Sequence, residues 1–150
     1  MMGVTPEQAH WVPPGTAHPI GERYAHVAQS ADAVVNGVLK GGAPLAATSW
    51  AGKTGTSEPV MRITLEIAQR VKVDLPAARQ YGQAVYAAVS EYIASLKDED
   101  LNRPIDLSFI NSGQQSVAWV LTRLVINHFQ IITGEIAVIK GVQGLKGSPV

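Results

Sequence analysis

The side chains with chemistry to offer are four histidines, His10, His18, His26 and His128, in a chain of 150 residues that contains no cysteine. Neutral imidazole is the commonest metal ligand and a ready general base near neutral pH. The lack of any thiol removes a disulfide framework, a Cys-ligated zinc or iron–sulfur site and a protein-borne thiol nucleophile. Thiol chemistry would need a thiol from outside. His10 and His18 stand beside Trp11, Pro13, Pro14 and Pro19, a loop context that suits capping or surface roles. His26 falls mid-helix beside an apolar stripe, and His128 falls inside the most apolar segment of the chain. A single interior histidine is more simply a hydrogen-bonded core residue than a ligand. Two of them on different helices point to a shared site.

Two glycine-containing strings imitate known motifs. Gly52-Lys53-Thr54 matches the end of a phosphate-binding P-loop, in which backbone N–H groups cradle phosphates and the lysine reaches the terminal ones. That motif needs glycine five residues before Gly52, where Ala47 stands. Lys53-Thr54-Gly55-Thr56 matches the Lys-Thr-Gly element that accompanies a Ser-x-x-Lys nucleophile, yet no serine here has a lysine three residues on. Both strings read as a solvated loop.

The elements that must position the histidines emerge from apolar spacing. Ile20, Tyr24, Val27, Ala31, Val34, Val35 and Val38 recur every three or four residues, which predicts a helix from Pro19 to Gly41-Gly42. Residues 43–59 are rich in Gly, Pro, Ser and Thr and read as one long connection. Val60, Ile63, Ile67 and Val71 predict a helix over Val60–Val73 that breaks before Pro76. Tyr81, Val85, Ala88, Tyr92 and Leu96 predict another over Ala77–Leu96. Residues 98–113 form a second connection. The last helix, Gln114 to about Lys140, is apolar almost all round and is therefore expected to be central. It ends in Gly141, Gly144, Gly147 and Pro149. With no β-alternation and no internal repeat, the expectation is an all-α, antiparallel bundle forming a single domain over residues 1–150.

Composition narrows the partners. Lys and Arg total 12 against 12 Asp and Glu, and charged residues are 16% of the chain, so there is no electrostatic footprint for nucleic acid. The stretch Val117–Ile139 is long enough to span a bilayer but carries Arg123, Asn127, His128, Gln130 and Glu135, which are costly in lipid. Residues 1–9 lack a basic stretch leading into an apolar run. The expectation is a cytoplasmic protein whose partners are small molecules or protein.

His26-Val27, with Trp11-Val12-Pro13-Pro14 upstream and Gly41 and Pro44-Leu45 downstream, resembles the DinB/YfiT-like superfamily of four-helix bundles. The run His128-Phe129-Gln130-Ile131-Ile132-Thr133-Gly134-Glu135-Ile136 is similar to the His-x-x-x-His-x-Gly-Glu-Ile helix of that superfamily, and Lys140 to Gly147 is similar to its glycine-rich tail. Asp74-Leu75, Tyr81 and Asp100-Leu101-Asn102-Arg103 fit the middle of the same pattern, so the resemblance runs from Thr5 to Pro149. It implies one divalent metal, zinc or nickel, held by three histidines, one from an early helix and two from the last at i and i+4. That spacing places two imidazoles on one helical face.

The sequence departs from this pattern twice. Ile132 stands four residues after His128, so His26 and His128 are the metal candidates and the third ligand is missing. Glu135, seven residues after His128, lies on the same face but belongs to the Gly-Glu-Ile pattern. The resemblance also implies a first helix upstream of Trp11; either a partner chain fills the groove left without it, which predicts a homodimer, or the Val60–Val73 helix takes up that role. Three functions are compatible with these features: a degenerate bundle that binds a small ligand, with a weak metal site; a metal-dependent transferase or isomerase that uses an external low-molecular-weight thiol; or a structural bundle whose two histidines are merely hydrogen-bonded. In the first two, Glu22, Gln29, Gln130 and Glu135 are candidates to line the pocket.

Overall fold

Thr5, Thr64, Asp74 and Ser116 each offer a side-chain oxygen to the backbone N–H three residues ahead, and a helix begins after each of them. The computed structural model describes residues 3–147. In chain order its elements are α1 (Pro6–His10), α2 (Ile20–Asp32), α3 (Leu65–Arg70), α4 (Leu75–Ser95), β1 (Pro104–Asp106), β2 (Gln114–Ser116), α5 (Val117–Val120) and α6 (Asn127–Val142). Two of the helices extend past these bounds. A π-helical segment, Ala33–Leu39, continues α2, and a second, Leu121–Ile126, joins α5 to α6 into one rod. The molecule is mostly helical, with β1 and β2 paired antiparallel as its two-stranded sheet.

Helix α2 is the centre of the bundle, with α4 on one side and the last helix on another. The expected antiparallel packing is found between α2 and the last helix, where Arg23 approaches Glu135 and His26 meets His128. Helix α4 runs alongside α2 in the same direction: Gly82 abuts Tyr24, and Tyr92 and the Leu39 carbonyl share the guanidinium of Arg103. The long connection across residues 40–74 permits this. The apolar interior has two lobes, one around Val35, Tyr81, Val85, Leu107 and Val120, the other around Ile20, Val60, Val73, Ala78 and Ile139.

Four expectations are corrected. Only Leu65–Arg70 of the helix expected over Val60–Val73 is helical, because neighbouring side chains take the flanking backbone groups: Gln29 Oε1 accepts from Val60 N, and His10 Nε2 accepts from Val73 N. Pro76 lies in the first turn of α4, after the Asp74 cap, where its missing N–H costs nothing. The connection over 98–113 includes β1, whose partner β2 occupies the expected start of the last helix. That helix is not central; Ile126, Ile131, Val138 and Val142 on it are 49%, 60%, 67% and 63% exposed. No helix of the described residues is long and apolar enough to cross a membrane. Pro149, named in the tail, lies outside the described residues.

Asp32, fully buried on α2, holds the long connection in place. Its Oδ1 accepts from Leu45 N and Asn36 Nδ2, and its Oδ2 from Ala46 N and the Tyr81 hydroxyl, all at 2.7–2.8 Å. Gly55 fixes the far end of that connection. It has φ +77°, its carbonyl accepts from Asp74 N at 2.8 Å, and a Cβ there would run into the Ala78 backbone. The Lys-Thr-Gly string is thus a packing device.

Replacing Asp32→Asn sets an NH2 against two donors whichever way the amide turns, and should cost about 3 kcal/mol, seen as a fall of about 10 °C in Tm. An unchanged melting curve would refute the role of Asp32. Burial first, then the hydrogen bond to Asp32, raises the Tyr81 pKa above its ordinary 10.0. The stability tied to the neutral phenol is complete below pH 10 and lost as pH rises toward the folded-state value. Tyr81→Phe should therefore melt with a smaller alkaline loss than the parent above pH 10, and identical alkaline limbs would contradict this.

Candidate functional site

His26 points from α2 toward residue 60, and its Nδ1–H donates to the Val60 carbonyl at 2.6 Å. A carbonyl only accepts, so this bond fixes the tautomer and leaves a lone pair on His26 Nε2. His128, from the first turn of α6, presents Nε2 to that lone pair at 3.2 Å, with the two rings edge to face at 76°. In this arrangement His128 Nε2–H donates and His26 accepts. Burial lowers the His128 pKa below 6.5; proximity to His26 and Arg23 adds to the shift and Glu135 opposes it. The His128 ring is thereby kept neutral at pH 7.

The pair borders a cavity of about 290 Å³ with almost entirely apolar walls. Ala33, Val34 and Val38 come from the first π-helical segment, Arg123 and Leu124 from the second, and Met61, Phe109 and Ile110 close over it from the connections. The wider π turn shifts side chains out of the regular helical register, and such segments occur frequently at functional sites. Here both of them face the same cavity.

Two zinc–nitrogen bonds of ~2.05 Å at a tetrahedral angle hold their nitrogens ~3.3 Å apart, so the 3.2 Å between the two Nε2 atoms suits two ligands of one ion. The rest of a three-histidine site is missing. Ile132, one turn after His128, is 2% exposed and has no donor atom. Among the described residues no group of three or more His, Asp or Glu side chains is placed to hold a metal. The residues therefore fit half a tetrahedron.

The other candidates named from the sequence lie elsewhere. Glu22 is buried beneath Arg23, which forks onto it at 2.7 and 2.9 Å, with His18 Nδ1 2.9 Å from the same carboxylate. Glu135 lies 3.4 Å from Arg23 and is half-exposed. Gln29 ties the connection down by donating to Thr56 Oγ1 and accepting from Val60 N. Gln130 edges a separate apolar groove beside Tyr86 and Phe129. His10 donates through Nδ1 to the Pro6 carbonyl and accepts from Val73 N, and so is a structural bridge. Sequence reasoning missed Met61, Phe109, Ile110 and Arg123 as cavity residues. One signal was available, since Arg123 is a cation inside an otherwise apolar run and needs a reason to be there.

Comparison with known proteins bears on this arrangement. The family described as the DinB superfamily matches residues 1–130. No curated protein matches the chain. Among solved structures, a crystal structure of a conserved protein from Enterococcus faecalis is similar, with a TM-score of 0.77 and 20% identity, covering 94% of this chain and 85% of that one. At that identity the likeness concerns the fold.

A His128 pKa below 6.5 means that the folded state resists protonation. Stability is fully present above pH 6.5 and is lost as pH falls through the folded-state value. Thermal melts between pH 8 and pH 5 should show this acid loss, smaller in His128→Leu, while NMR titration of His128 gives a midpoint below 6.5. A midpoint at or above 6.5 would contradict a half-buried, neutral His128.

Proposed function

The chain belongs to the DinB superfamily, and on that premise we propose that it is a non-catalytic bundle that binds a small ligand, with a histidine pair that takes up a divalent metal only weakly. One observation carries this reading. Two imidazole nitrogens 3.2 Å apart border an apolar cavity, and the next turn of the last helix carries the buried Ile132 where a third donor would stand. Catalytic zinc ordinarily has three protein ligands and an open position, so two ligands give a labile site. The cavity walls are meanwhile almost entirely apolar, which favours a ligand with carbon to bury. The ligand-binding residues in this reading are His26, His128, Met61, Leu124 and the π-helical wall.

A second reading is favoured by the nitrogen spacing alone: a metal-dependent transferase or isomerase in which an external low-molecular-weight thiol supplies the donor that Ile132 lacks. It would suit a chain without cysteine, because the thiol would be brought in with the ligand. Zinc or nickel would there lower the pKa of the incoming thiol.

Metal retention tests the first reading. After loading with zinc or nickel and dialysis, the protein should keep less than about a tenth of an equivalent, as expected without a third ligand. Ile132→His should restore retention close to one equivalent. A parent protein that keeps a full equivalent would overturn the weak-site reading. An Ile132→His protein that keeps none would mean that position 132 does not face the histidine pair.

A further inference from the structure

The cavity's one formally charged wall residue is Arg123. It stands on the second π-helical segment, one residue before Leu124 and five before His128. Among the described residues it makes no hydrogen bond or ion pair, whereas Arg23, Arg70 and Arg103 are all engaged. Everything else around the cavity is apolar or neutral: Ala33, Val34, Val38 and Leu124 form the walls, Phe109 and Ile110 the rim, and the histidine pair one end. A guanidinium at an apolar cavity has its planar fork free for a carboxylate, which it can bind with two parallel hydrogen bonds.

Volume restricts the rest of the ligand. About 290 Å³ lies just below the roughly 300–1,000 Å³ typical of drug-sized ligands, so the occupant is small. Its body must be largely apolar, because apart from the Ser30 hydroxyl and the histidine pair the lining side chains between the two π-helical segments offer no donor or acceptor. The π-helical geometry supplies independent support, since both irregular segments of the bundle contribute wall residues to this one cavity. We infer that the cavity binds a small apolar carboxylic acid as its anion, with Arg123 holding the carboxylate and the aliphatic or aromatic body lying between the two π-helical segments toward the histidine pair.

This inference rests on the reading of the chain as a small-ligand bundle, and it commits that reading to a charge and a shape. Octanoate and the equally long neutral octanol are the probes, titrated by NMR into the metal-free protein and into Arg123→Gln, an exposed substitution that leaves the core untouched. Octanoate should bind and shift the ring resonances of His26 and His128. It should bind about tenfold more weakly to Arg123→Gln, since a hydrogen bond to a charged group is lost. Octanol should bind the parent about tenfold more weakly than octanoate does, and Arg123→Gln should bind both alike. Equal affinity of the parent for acid and alcohol, no effect of Arg123→Gln, or binding that leaves the histidine resonances unmoved would each overturn the inference while leaving a small-ligand cavity standing. Failure of both probes to bind would overturn the inference and the small-ligand reading together.

Discussion

The arrangement of the histidine pair depends on one buried carboxylate. The hydrogen-bond partners of Asp32 include no cation, only four neutral donors: two backbone N–H groups, an amide and a phenol. Taking an ion out of water costs several kcal/mol even after relaxation, and hydrogen bonds to a charged group return about 1.5–3 kcal/mol each. The donors come from residues distant in sequence, so satisfying this one group folds the start of the long connection against α2 and locks Tyr81 of α4 to the same point. Gln29, one helical turn earlier, does the same for the connection's later part by holding Thr56 and Val60. Val60, once placed, offers its carbonyl to His26. The tautomer of His26 is therefore set by a loop, and the loop by two buried polar side chains on the helix that carries the histidine.

The same helix keeps its charges apart from its histidines. Glu22 and Arg23 form a forked pair near the start of α2, with His18 and Glu135 around them. At His128 burial outweighs the effects of His26, Arg23 and Glu135, and burial favours the uncharged ring. A carboxylate nearer the pair would have drawn a proton onto it and removed the lone pairs that make it useful. The separation of Glu22 and Glu135 from the cavity is thus part of what defines the site.

The long helices were legible because burial of one face leaves a three- and four-residue rhythm that composition cannot hide. Val27, Ala31, Val35 and Leu39, or Ala78, Tyr81, Val85 and Val89, report their own periodicity and their own burial. The histidine pair was legible too, since two interior imidazoles on different helices have few other reasons to exist. What the periodicity could not convey was competition for backbone groups. Val60 begins a helical stripe and Val73 is its expected helix end, but their N–H groups bond to Gln29 and His10, partners 31 and 63 residues away. Asp32 escaped notice for the same reason, being one polar residue within a helix whose partners lie beyond any local window. β1 and β2 span three residues each, too few for an alternation to register. The last helix misled in a more instructive way. An all-round apolar sequence normally signals a central helix, yet here Ile131, Val138 and Val142 face outward, so the pattern recorded how much apolar surface the helix carries and not where α2 lies.

Ile132 decides how the histidine pair is to be understood. A donor at that position would have converted the cavity end into a charged, ordered centre, with water or an anion drawn to the metal and the apolar walls left as its surroundings. A buried isoleucine reverses the balance. The histidine nitrogens satisfy each other at 3.2 Å and His26 satisfies Val60, so neither ring needs an ion to be stable in the interior. The charged group that borders the cavity is then Arg123, which is exposed and has no protein partner among the described residues. In the reading proposed above, an apolar space bordered by a self-satisfied imidazole pair and by an exposed guanidinium selects its occupant by polarity and not by a metal.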